Sequence, residues 1–75
     1  MNKEQRERLS QILDALNVAL NDIDEIKCEE EEKYDNLPEN FQYGEKGEAI
    51  QDGISSLEDA YSYLDDAISS LNDLV

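Results

Sequence analysis

A chain of 75 residues with a net charge of −14 is too small for several domains and too acidic to bind nucleic-acid phosphates or anionic lipid directly. Because only six basic residues stand against 20 acidic ones, basic protein surfaces are the natural partners. A single cysteine and the absence of histidine exclude an internal disulfide and argue against a structural zinc site.

The first predicted helix runs from about residue 3 to residue 35. With Leu9 placed at position a of a heptad, its apolar residues fill positions a, d and e, which together form a wide apolar stripe at helical spacing. Beyond Ile26 this stripe weakens, and we expect residues 29–32 to form a solvated helix end. The residues of this helix that we predict for the core of the hairpin, or of a dimer, are Leu9, Ile12, Leu13, Leu16, Leu20 and Ile23.

The loop that follows, residues 36–47, is predicted to contain a short helical turn. Pro38 has no amide hydrogen and restricts Leu37, so a regular helix cannot continue through it. The residues that we expect to shape the loop are Phe41 and Tyr43, folded back over the end of the hairpin, and Gly44 and Gly47, which let the chain reverse.

The second predicted helix runs from about residue 48, or from Glu45, to residue 74. Three heptads repeat visibly as ISSLEDA, YSYLDDA and ISSLNDL. Small residues at position g, Gly53, Ala60 and Ala67, indicate that a neighbouring helix approaches closely. The predicted core residues of this helix are Ile50, Ile54, Leu57, Tyr61, Leu64, Ile68 and Leu71.

These elements predict an all-α fold, in which residues 1–75 form one antiparallel two-helix hairpin that packs like a coiled coil. The apolar stripes of the two helices are wider than a single helix–helix seam needs. We therefore expect either a homodimer that forms a four-helix bundle or a different partner that covers the excess.

We predict no enzyme activity, catalytic residue, cofactor or metal site, because a two-helix hairpin offers no cavity and histidine is absent. Cys28 falls at the outer position f, and we interpret it as a passive surface residue. Residues 21–25 fit the first ligands of a calcium loop loosely, but Ile26 stands where that loop needs glycine.

The strongest functional signal is a row of carboxylates along the second helix. Because a heptad rises about 10.5 Å, these carboxylates recur regularly along a rod, as phosphates do along DNA. We expect them to lie away from the apolar stripe and to bind a basic groove, although charge runs of this kind are usually only solvated. We call these residues the acidic face: Asp52, Glu58, Asp59, Asp65, Asp66 and Asp73.

Tyr63 is a second candidate for binding a partner, because it is a large aromatic residue at the outer position c. Aromatic residues in such places are favoured anchors at interfaces. A tyrosine that merely lies along its own helix explains the same pattern.

The loop sequence YDNLPE at residues 34–39, with Gly47 and Glu48, resembles a motif of small acidic helical proteins of bacteria and of their phages and mobile elements. The likeness extends over the acidic heptads to residue 71. It implies a phage-type accessory protein that acts in the cytoplasm of the bacterial host. It also implies inhibition of a host protein of defence or of nucleic-acid handling.

The leading hypothesis is therefore a protein-binding module that inhibits or modulates a host protein by stoichiometric occlusion, with mimicry of DNA as one form. The alternative is a structural or oligomerisation module whose acidic surface only confers solubility. No stretch approaches the ~20 apolar residues of a membrane span, and the charged N-terminus is not typical of a signal peptide, so we expect a cytoplasmic protein without membrane contact. The partner, the oligomeric state and the side that binds the target stay open.

Overall fold

The computed structural model describes residues 1–75 and confirms the predicted all-α hairpin. Helix α1 spans Lys3–Asp35, the short helix α2 spans Glu39–Gln42, and helix α3 spans Glu45–Asn72. Helix α3 thus begins at the earlier of the two expected positions. The two long helices pack along each other into a rod of 58 × 14 × 12 Å. None of the three helices combines the length and the apolar composition that a membrane span requires.

Helix α1 begins and ends where its local sequence satisfies the free backbone groups. The Asn2 side chain accepts a hydrogen bond of 2.7 Å from the Gln5 amide, and the Gln5 side chain accepts one of 3.2 Å from the Asn2 amide. This reciprocal arrangement is a capping box. At the other end the Asn36 amide donates to the Glu32 carbonyl, and Pro38 then prevents further helix.

The loop is closed by Gln42 and Gly47, and not by the aromatic residues that the sequence indicated. The Gln42 side-chain amide donates hydrogen bonds of 3.1 Å to two carbonyls, those of Tyr34 and Leu37. Gly47 is buried, and a Cβ atom there would lie 2.7 Å from the Cα of Gln42. No glycine has a positive φ, so close packing explains Gly47 better than chain reversal does.

The expectation for the two loop aromatic residues was wrong. Phe41 is half exposed and Tyr43 is 82% exposed. In the four-residue helix α2 it is the Gln42 side chain, and not either ring, that reaches back to the carbonyls of Tyr34 and Leu37.

The core is thin and lies along a single seam. Leu9, Leu13, Leu20 and Ile68 are buried, but no side chain is fully buried. Leu13, Leu20 and Ile68 form one cluster, and around it pack the partly buried Leu16, Tyr61, Leu64 and Leu71. Four further predicted core residues are of intermediate exposure, namely Ile23, Ile50, Ile54 and Leu57.

On α1 the seam uses positions a and e, and position d is left at its edge. Ile12 and Ile26, both at position d, are 50% and 47% exposed. Ile12 is therefore not part of the hairpin core, because α3 covers only one arc of α1 and no third long helix covers the next.

The small residues of α3 at position g are uncovered too. Ala60 and Ala67 are exposed, and a Cβ atom on Gly53 would meet no atom within 4 Å. No neighbouring helix of this chain approaches them.

Candidate protein-binding surfaces

The six residues of the acidic face are all exposed; five lie on α3, and Asp73 directly follows the last residue of that helix. Five of them, the aspartates, make no ion pair within the chain. The only cation on α3 is Lys46, in its first turn. The acidic face therefore presents carboxylates without counter-charges from its own helix.

Glu58 corrects the expected placement of this face. Its carboxylate lies 3.9 Å from Nζ of Lys27 on α1, so it sits on the flank of the hairpin rather than on the outer side. Position e of α3 borders the seam in an antiparallel pair, which brings Glu58 next to α1. Asp65 follows one heptad later on the same flank, whereas Asp52, Asp59, Asp66 and Asp73 occupy position f, farther round the helix.

Carboxylates on both helices stabilise the charged form of Lys27. The Glu31 carboxylate, 3.5 Å away on the next turn, raises the pKa of Lys27 above 10.5. A hydrogen bond to Glu31 and the charges of Glu58 and Asp24 act in the same direction, whereas desolvation opposes them. Lys27 is thus held in its charged form beside the seam.

The opposite flank of the hairpin is apolar and uncovered. Position d of α1 and position g of α3 lie on one side of an antiparallel pair, away from the Lys27–Glu58 flank. A shallow cleft on this side, at the start of α1, is lined by Met1, Gln5, Arg8, Leu9 and Ile12. We call the following residues the apolar side: Ile12, Ala19 and Ile26 of α1, and Gly53, Ala60 and Ala67 of α3.

The sequence predicted apolar stripes wider than a single seam, and of these six positions only Ile12 was predicted for the core. What the pattern lacked was the position of the seam within each stripe, which only the packing of α1 on α3 decides.

Two further residues that the sequence analysis singled out are exposed to solvent. Tyr63 is 73% exposed, so its ring is largely free to contact a partner. Cys28 is also exposed on α1.

No group of three or more Asp, Glu, Cys or His side chains is arranged to hold a metal ion. Residues 21–25, which fit the start of a calcium loop loosely, lie inside the continuous helix α1.

Comparisons with protein-family models, with curated proteins and with solved structures found no match for the chain. The likeness of the YDNLPE loop to phage-type proteins therefore stays a prediction.

Proposed function

We propose that the chain is a protein-binding module that inhibits or modulates a host protein by covering its basic groove. The observation that carries this proposal is the set of five exposed aspartates, along α3 and at its C-cap, that have no ion-pair partner in the chain. Because these carboxylates have no internal partner, a basic protein can form ion pairs with them without breaking ion pairs inside the chain. The resemblance of the loop favours a phage or mobile-element protein acting in the host cytoplasm.

Mimicry of duplex DNA is the form of this function that the shape favours. Fourteen net negative charges along a 58 Å rod give about one charge per 4 Å. Duplex DNA carries one per ~1.7 Å. We further propose that two hairpins pair side by side into a four-helix bundle, which would bring the density to about one charge per 2 Å.

The test is displacement of a short duplex from a protein with a basic groove. A fluorescent duplex of ~20 base pairs bound to a bacterial histone-like protein serves as the probe, and the chain is titrated into it. We expect stoichiometric displacement that weakens steeply with added salt, because both contacts are electrostatic. Reversal of Asp59, Asp65 and Asp66 to Lys should abolish displacement.

A control variant with the same change in net charge shows whether displacement depends on the acidic face or only on the total charge of the chain. Glu25, Glu29 and Glu32 are exposed on α1, and their reversal to Lys changes the net charge by the same amount. This control should still displace the duplex. Full displacement by the α3 variant, or equal loss in both variants, would contradict the assignment to the acidic face.

The second candidate is an oligomerisation module, in which the apolar side does the work. It is favoured by Ile12 and Ile26, which are half exposed on this side. Light scattering at low and high salt distinguishes the two functions. Apolar association strengthens as salt screens the repulsion between two acidic rods, whereas binding to a basic groove weakens.

A further inference from the structure

The hairpin exposes more surface than a compact protein of its size. Its accessible area is 5596 Å², whereas a compact monomer of 8.6 kDa exposes roughly 4,700 Å². The excess, about 900 Å², is close to the ~800 Å² that each partner buries in a stable interface. A second chain that packs on the apolar side would bury this excess area.

The residues of this side on α1 are spaced symmetrically about Ala19. Ile12 and Ile26 each lie seven residues from it, which is about 10.5 Å along the helix. Arg8 and Glu30 each lie eleven residues from it, about 16.5 Å along the helix. A half-turn about an axis at Ala19 therefore exchanges isoleucine with isoleucine and places a cation against a carboxylate.

We infer that the apolar side binds a second copy of the chain in antiparallel orientation, with the two-fold axis at Ala19 and α1 lying on α1 of the partner. This inference rests on the proposed dimer and specifies its geometry. The isologous contact that results is the commonest form of closed dimer. The cleft lined by Met1, Leu9 and Ile12 then receives the partner subunit's Ile26.

The charges of α1 favour this orientation over the parallel one. Residues 1–8 carry a net side-chain charge of +1, whereas residues 22–35, at the other end of α1, carry −6. The antiparallel pair sets each basic end beside an acidic end of its partner. A parallel pair places like ends together, and the repulsion of the two acidic ends opposes it.

The same orientation brings both acidic faces to one side of the bundle. A half-turn about an axis across the helices keeps α3 beside α3 of the partner, at the 8–10 Å typical of packed helices. Two antiparallel rows of aspartates then run along one surface. The parallel orientation would put the rows on opposite sides.

Disulfide capture tests the orientation. With Cys28→Ser as background, Ala19→Cys places two thiols at the axis, within the ~4–7 Å between Cα atoms that a disulfide spans. We expect mild oxidation to convert most of this variant to a covalent dimer. Ala15→Cys is the matched control, because one turn from the axis the two thiols stand about 12 Å apart along the helices. It should stay uncoupled.

Charge exchange gives a second readout. Arg8→Glu and Glu30→Arg should each weaken the dimer by roughly three- to tenfold, and the double variant should restore it. Sedimentation equilibrium gives the dissociation constants.

The possible outcomes test three hypotheses separately: the antiparallel orientation, the dimer itself and the binding role of the acidic face. A dimer that couples only when Ala19→Cys and Ala67→Cys chains are mixed overturns the antiparallel orientation but keeps the dimer. A chain that stays monomeric at millimolar concentration overturns both, and the duplex-displacement assay then decides the acidic face alone.

Discussion

Nζ of Lys27 on α1 lies 3.9 Å from the carboxylate of Glu58 on α3, and this is the only ion pair that joins the two long helices. The pair is partly exposed, so its contribution is small and depends on salt. The pair nevertheless makes one flank of the hairpin polar, and the apolar side forms the opposite flank.

Replacement of Lys27 by Met should lower the thermal midpoint at neutral pH. The folded-state pKa of Lys27 lies above 10.5, chiefly because of Glu31. The stabilisation is therefore complete below pH 10.5 and is lost as the pH rises through the higher folded-state value. Melting curves from pH 7 to 12 should show the variant and the parent converging. Lys46→Met is the control, since Lys46 makes no ion pair, and an equal effect there would assign the change to net charge.

Gly47→Ala should destabilise the hairpin by about 1–3 kcal/mol, as overpacking does. The added methyl group would collide with the backbone of Gln42, which cannot rotate away. Gly53→Ala is the matched substitution in the same helix, where the methyl group meets nothing. It should stabilise by about 0.5–1 kcal/mol through helix propensity. Urea unfolding at fixed protein concentration measures both, and equal effects would refute the close contact.

Gln42→Ala should cost about 1–2 kcal/mol, because two hydrogen bonds to loop carbonyls are lost. Gln42→Glu should cost more, since it points a carboxylate at the carbonyls of Tyr34 and Leu37. Thermal unfolding followed by circular dichroism ranks the variants. If Gln42→Glu proves as stable as the parent, the amide does not hold the loop.

Leu20→Ala should lower the free energy of unfolding by about 2–3 kcal/mol, at the low end for buried leucine. Leu20 is 8% exposed, and no side chain of this core is fully enclosed, so the cavity can partly fill with water. Val18→Ala, at a position that is 60% exposed on the same helix, should change stability by less than ~0.5 kcal/mol. Comparable losses in the two variants would mean that Val18 is covered in solution.

Sequence periodicity was enough to predict two helices, their break at Pro38 and the residues that meet at the seam. It did not predict the exposure of Ile12, because a heptad pattern shows which residues are apolar but not which arc a single neighbour covers. Likewise it placed Glu58 on the outer side, since the position of the antiparallel helix decides which flank is shielded.

The closure of the loop was also beyond pattern reasoning. Gln42 is polar and Gly47 looked like a turn residue, yet the two are packed against each other. Their contact depends on the three-dimensional path between the helices. No local rule for glutamine or for glycine indicates it.

Apolar residues recur at the same two positions of every heptad from residue 54 to residue 74, and this repeat affects how the hairpin folds. If α3 slid by seven residues, about 10.5 Å, apolar side chains would again meet α1, with Tyr61 in the place of Ile54 or Ile68, and Asp65 would replace Glu58 opposite Lys27. The helices themselves therefore specify their register weakly, and the Gln42 and Gly47 contacts at the loop select it. Peptides of α1 and α3 without the loop should associate as a mixture of slipped alignments, whereas the intact chain adopts one.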